Sequence, residues 1–77
     1  MTDAERAAQA RMLLETPLFV EILSRLEQSA VDICINAGPS EHEKRADWAA
    51  EARAVRRLRE RLNDYAKSET WKAPKVA

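Results

Sequence analysis

Hydrophobic residues in the middle of the chain recur at intervals of three and four, the spacing of one side of an α-helix. Between residues 17 and 36 this seam consists of Phe19, Leu23, Leu26, Ala30 and Ile33. A β-strand would need strict alternation of apolar and polar residues, which this stretch does not supply. The pattern therefore predicts a helix over residues 17–36.

Both ends of this helix carry signals of their own. Thr16 can cap the first turn, where Pro17 loses little because its missing N–H would be unpaired anyway. At the other end, Gly38 can close the helix in a left-handed conformation, and Pro39 prevents its continuation. Residues 37–40 are thus predicted to form a short turn.

A shorter helix is predicted before it, over about residues 3–15. Thr2 and Glu5 have the spacing of a capping box, and Arg6 and Arg11 are expected to face outward. A residue before proline resists helical geometry, so Thr16 should mark a break. If the break is slight, residues 3–36 form one long, bent helix.

The last helix is predicted over about residues 41–67, with Ser40 and Glu43 as a second capping box. Its apolar side consists of Trp48, Val55, Leu58, Leu62 and Tyr65. A four-residue link makes the flanking helices antiparallel neighbours, which places Leu58 against Phe19 in the core. The distal end of the last helix then needs the first helix to cover it.

The predicted fold is therefore all-α: an antiparallel helical hairpin with a short or kinked N-terminal helix and an extended C-terminal tail. Residues 1–67 form the domain and residues 68–77 the tail, where the helical pattern stops and Pro74 forbids a long continuation. The one large apolar side chain of the tail, Trp71, is expected to dock on a neighbouring subunit or partner.

A second apolar set lies beside the seam of the central helix and predicts a protein interface. Its main members are Leu18, Ile22, Val31 and Ile35. One partner helix cannot cover so wide a band, so either the N-terminal helix folds back over part of it or another subunit covers it. With 77 residues the stability margin is thin, and self-association is a natural remedy.

Charge divides the chain into two halves although the net charge is zero. Residues 1–51 carry five bases and ten acids, and residues 52–77 carry eight bases and three acids. The densest basic group is Arg53, Arg56, Arg57, Arg59 and Arg61. Its members Arg53, Arg56 and Arg57 are predicted to lie opposite the seam, and Arg59 and Arg61 beside it. Attraction between helices or subunits is one interpretation of this pattern, and contact with phosphates or an acidic partner is another.

No residue pattern predicts catalysis, a cofactor or a metal site. His42 stands between Glu41 and Glu43, and neighbouring helical side chains point in different directions, so we expect a solvated helix start. Cys34 is alone, which fits a small apolar side chain and a reducing compartment. No secretory signal or membrane-spanning run is recognisable, which predicts a soluble protein.

Two segments resemble a family of small helical proteins encoded by tailed phages and prophages. Residues 11–19, RMLLETPLF, are similar to the opening of that family's main helix, and residues 54–62, AVRRLRERL, resemble its second helix. The similarity spans about residues 4–66. Because the genes of this family lie near those for DNA packaging and head assembly, the resemblance implies a role in the virion or its construction. It transfers no catalytic residue.

The expected function is that of a non-enzymatic phage structural or assembly protein. It would bind copies of itself or a larger phage structural protein, in the host cytoplasm or the virion. One alternative is a small nucleic-acid-binding packaging or regulatory factor that uses the Arg-rich side. Another is a phage-encoded inhibitor of a host defence protein.

Overall fold

Three α-helices make up the part of the chain that the computed structural model describes, residues 1–67. Helix α1 spans Asp3–Leu14, α2 spans Pro17–Asn36 and α3 spans His42–Ala66. The predicted all-α hairpin with a separate N-terminal helix is confirmed, and residues 1–67 contain no β-strand. The predictions for the tail and Trp71 fall outside the described residues.

The start of α1 and the break after it follow the sequence signals. The Thr2 hydroxyl accepts a hydrogen bond from the backbone N–H of Glu5, and the Glu5 carboxylate accepts one from that of Thr2, so the capping box is confirmed. Thr16 is extended, with φ −90° and ψ 106°, which separates α1 from α2. Its hydroxyl does not cap α2 but donates to the carbonyl oxygen of Met12 at 2.7 Å.

The turn between α2 and α3 forms at the predicted place, but its backbone conformation and its capping differ from the prediction. Gly38 has no positive φ, so the predicted left-handed end is wrong: α2 stops because Ala37 is extended, with φ −63° and ψ 137°. The predicted Ser40 cap is also wrong, because Glu41 holds the N-cap position of α3 and makes no side-chain cap. Its carboxylate instead accepts a 2.8 Å hydrogen bond from the Gly38 N–H, within the turn.

The core lies where all three helices meet. Ala10 of α1, Leu23 of α2, and Val55 and Leu62 of α3 are buried together. Partly buried apolar side chains surround them: Leu14, Phe19, Tyr65 and Ala66. Helix α3 packs against both α1 and α2, which confirms that α1 covers its distal end.

Leu58 was predicted to lie in this core opposite Phe19, and that prediction is wrong. Leu58 is 47% exposed, whereas Phe19 packs against the cluster that contains Leu23. The rotation of α3 places Val55 and Leu62 at the centre of the contact and leaves Leu58 at its edge. Heptad counting finds the side of a helix but not its centre.

Candidate functional site

A pair of arginines closes one edge of the contact between α2 and α3. Arg56 Nε donates to Glu27 Oε2 at 2.7 Å, and Arg59 Nη1 donates to the other carboxylate oxygen. The hydrogen bond from Arg56, followed by that from Arg59, lowers the pKa of the Glu27 carboxyl from its ordinary value. The prediction that Arg56 points away from the seam is therefore wrong: its guanidinium turns back to α2.

The opposite side of α2 leaves a row of aliphatic side chains open. Leu18, Ile22 and Leu26 follow one another at four-residue intervals, and they are 63%, 46% and 47% exposed. Residues at this spacing lie on one side of a helix, so the three form a continuous stripe. We call them the α2 stripe. The spacing of apolar residues predicts Leu26 in the core seam, and its exposure shows that this prediction is wrong.

Val31 and Ile35, predicted to share an interface with Leu18 and Ile22, lie elsewhere on α2. Ile22 and Val31 are nine residues apart, which is about 180° around a helix. A groove of about 180 Å³ lies on the Val31 side, between α2 and α3. Its lining residues are Val31, Cys34, Ile35, Ala49, Ala52, Arg53 and Arg56.

The predicted interface thus divides into two surfaces, one on each side of the α2–α3 contact. The α2 stripe includes Leu18 and Ile22, and the groove includes Val31 and Ile35. The fifth predicted member, Trp71, lies outside the described residues. The sequence could not separate the surfaces, since a band of apolar residues does not reveal which strip a second helix will cover.

The predicted basic residues of α3 also fall into two groups, one paired with α2 and one exposed. Arg56 pairs with Glu27, but Arg53 and Arg57 are exposed and form no ion pair within residues 1–67. Asp47 and Glu51, which precede Arg53 and Arg57 by six residues each, are also exposed and lack an ion pair within that part of the chain. Within residues 1–67, the outer side of α3 therefore carries unpaired charges of both signs.

Polar residues singled out by their chemistry have ordinary surroundings. His42 is the first residue of α3 and is exposed. The Cys34 thiol is half-buried and lies 3.6 Å from the carbonyl oxygen of Arg45. Across residues 1–67, no three His, Cys, Asp or Glu side chains come together in a way that could hold a metal ion. None of the three helices is long and apolar enough to cross a membrane.

Comparison with protein-family models, with curated proteins and with solved structures found no match to this chain.

Proposed function

We propose that this chain is a non-enzymatic structural or assembly protein of a bacteriophage. It acts by docking the α2 stripe onto a larger structural protein of the particle or onto copies of itself. The phage context comes from the resemblance of residues 11–19 and 54–62 to small phage-encoded helical proteins. The mode of action comes from the surface of α2.

The observation that carries the proposal is the partial exposure of Leu18, Ile22 and Leu26 in one row. Single exposed aliphatic residues are normal on protein surfaces and need no explanation. Three at four-residue intervals form one apolar strip along two turns of helix, the pattern by which an amphipathic helix enters a groove or joins a helical bundle. Leu58 of α3 is exposed as well and extends the apolar character to the neighbouring helix.

Particle composition tests this function. The chain should be present in purified particles of the phage or prophage that encodes it, at a fixed copy number measurable by quantitative mass spectrometry. A transient assembly factor would instead be found only in immature particles. Absence from both, with normal particles formed without the gene, would refute the proposal.

Variants on the two sides of α2 test the surface itself. The double variant Ile22→Ser, Leu26→Ser should reduce incorporation into particles, because it replaces two of the three stripe residues with polar ones. Ile35→Ser is the matched control, since Ile35 is 73% exposed on the groove side of the same helix. Circular dichroism should show unchanged helix content for both. Equal loss of incorporation in the control would mean that the stripe has no special role.

Nucleic-acid binding is the second candidate, and the outer side of α3 favours it. Arg53, Arg57 and Arg61 follow one another at four-residue intervals, as phosphate contacts along one groove would require. Asp47 and Glu51 on the preceding turns weigh against it, because they would repel the same backbone. No described residue specifically favours inhibition of a host defence protein, which stays a prediction.

A further inference from the structure

Helix α3 carries two separate runs of like charge on its exposed side. The first half contains Glu43, Asp47 and Glu51, and the second half contains Arg53, Arg57 and Arg61. Within each run the residues are four apart, so like charges are neighbours along the helix. Such pairs destabilise an isolated helix, whereas alternating signs at this spacing would stabilise it.

Among residues 1–67, the inner members of both runs have no side-chain partner. Asp47, Glu51, Arg53 and Arg57 form no side-chain hydrogen bond or ion pair within residues 1–67. Within residues 1–67, the only ion pairs between the acidic and the basic half of the chain are those of Glu27 with Arg56 and Arg59. The side chains of Asp47, Glu51, Arg53 and Arg57 are all exposed.

An antiparallel copy of α3 would place two of these acids opposite two of these bases. The alignment that brings Asp47 opposite Arg57 of a second copy also brings Glu43 opposite Arg61, whereas Glu51 and Arg53 lie on the two flanks of the contact. Because the two copies are related by two-fold symmetry, each of these pairs occurs twice in the dimer. A parallel copy in register would instead oppose like charges, so the pattern selects one orientation.

The same alignment brings small side chains to the crossing point. Ala50 lies opposite Ala54 of the second copy, and both alanines are exposed. At about 100° per residue, Asp47, Ala50, Ala54 and Arg57 fall within a sector of about 80°, centred roughly 130° away from the buried side of α3. Alanines there allow two helix backbones to approach closely, with the charged pairs beside them.

We propose that this chain forms a symmetric dimer through the outer side of α3, with the two α3 helices antiparallel and Asp47 paired with Arg57 of the other copy. This inference deepens the proposed function by naming a second copy as one partner. It uses a different surface from the α2 stripe, which stays available for another partner. The experiments can therefore refute the α3 dimer without refuting docking through the α2 stripe, and the reverse.

Charge reversal and mixing test the dimer, using the full chain in sedimentation equilibrium at about 0.05 M salt, where exposed charges are weakly screened. Asp47→Arg and Arg57→Asp should each weaken dimerisation by roughly tenfold or more, because each replaces two attractive pairs by two repulsive ones. When the two variants are mixed, opposite charges face each other again, and a heterodimer should form with near wild-type affinity. The double variant Asp47→Arg, Arg57→Asp should dimerise for the same reason.

Glu60→Arg is the matched control, since Glu60 is exposed on α3 but points about 100° away from the proposed contact. It should leave dimerisation unchanged, and circular dichroism should show equal helix content in all variants. A wild-type chain that stays monomeric over the whole concentration range would overturn the inference. So would reversal variants that dimerise normally, or a mixture with no recovery. If dimerisation is lost in Ile22→Ser, Leu26→Ser but not in the reversals, copies meet through the α2 stripe and the inference fails while the proposed function stands.

Discussion

Arg11 Nε donates a 2.9 Å hydrogen bond to the carbonyl oxygen of Ala66, which lies 55 residues further along the chain. The bond joins the end of α1 to the end of α3. Since the last carbonyl groups of a helix have no partner within the helix, Arg11 satisfies an acceptor that would otherwise need water. Arg6 makes a second link nearby, with its guanidinium 5.6 Å from the centre of the Tyr65 ring.

Replacing Arg11 with Met should therefore destabilise the fold by about 1 kcal/mol, the typical net contribution of one hydrogen bond. Met keeps the apolar stem and removes the donor together with its positive charge. The free energy of unfolding from urea titration measures the change. Arg25→Met is the control, because within residues 1–67 Arg25 pairs only with Glu21, on the exposed side of its own helix. If both variants lose the same stability, the link to Ala66 contributes nothing specific.

Leu23 and Leu58 should respond very differently to the same substitution. Leu23 is 4% exposed at the centre of the core, so Leu23→Ala should cost about 2–4 kcal/mol. Leu58→Ala should cost less than about 1 kcal/mol, because Leu58 lies at the edge of the contact. Chemical denaturation of both variants compares them directly. A larger loss for Leu58 would restore the core position that its spacing predicted.

Acid should destabilise the protein through Glu27. Its pKa is lowered in the folded state from an ordinary value of 4.5, so the unfolded chain binds more protons as the pH falls. The contribution is complete above the unfolded pKa and is lost as the pH falls through the lowered folded value. Glu41, whose pKa is lowered chiefly by the Gly38 N–H, acts in the same direction.

Glu27→Gln should therefore be less stable than the wild type near pH 7 and should lose less stability between about pH 5 and pH 3. Thermal melting across this pH range measures the difference. Glu15→Gln is a suitable control, since the Glu15 side chain has no partner within residues 1–67. Parallel pH profiles for the wild type and Glu27→Gln would show that the ion pair with Arg56 and Arg59 does not contribute.

Binding to double-stranded DNA should be weak for the wild type and stronger for Asp47→Asn, Glu51→Gln. The substitutions leave Arg53 and Arg57 in place and remove the acids that oppose phosphate contact. Fluorescence anisotropy with random-sequence DNA at several salt concentrations measures both affinity and salt dependence. Tight wild-type binding that falls with salt, and that Arg53→Gln, Arg57→Gln abolishes, would support the nucleic-acid alternative instead.

Removing residues 69–77 should leave the helical domain intact, because α3 ends at Ala66 and the core that the structure describes is built from residues 10–66. Helix content by circular dichroism should be unchanged, while incorporation into particles should fail if Trp71 anchors the chain to its neighbour. Deleting residues 62–77 is the contrasting variant, since it removes Leu62 from the core and should unfold the domain. Unchanged incorporation of the shorter truncation would show that the tail is not an anchor.

Local signals explain how much of this fold could be predicted. The capping box of Thr2 and Glu5, the break before Pro17 and the turn after Asn36 depend on residues within one or two turns, and the structure has them where the spacing places them. Gly38 shows where such signals fail. The sequence predicts that a left-handed glycine ends α2, but an extended Ala37 ends it instead. Several local solutions have similar energies, and the neighbouring helices select one.

The sequence by itself determined which segments are helical, their order and the antiparallel path of α2 and α3, because helical periodicity and a short turn are properties of adjacent residues. It left open whether residues 3–36 form one bent helix or two helices. Only the tertiary structure decided which part of each apolar side is buried. It placed Ala10 and Leu62 in the core, left Leu26 and Leu58 at the surface, and turned Arg56 toward Glu27. The physical reason is that the rotation of each helix is set by the joint packing of three helices, and no single periodic pattern contains that information.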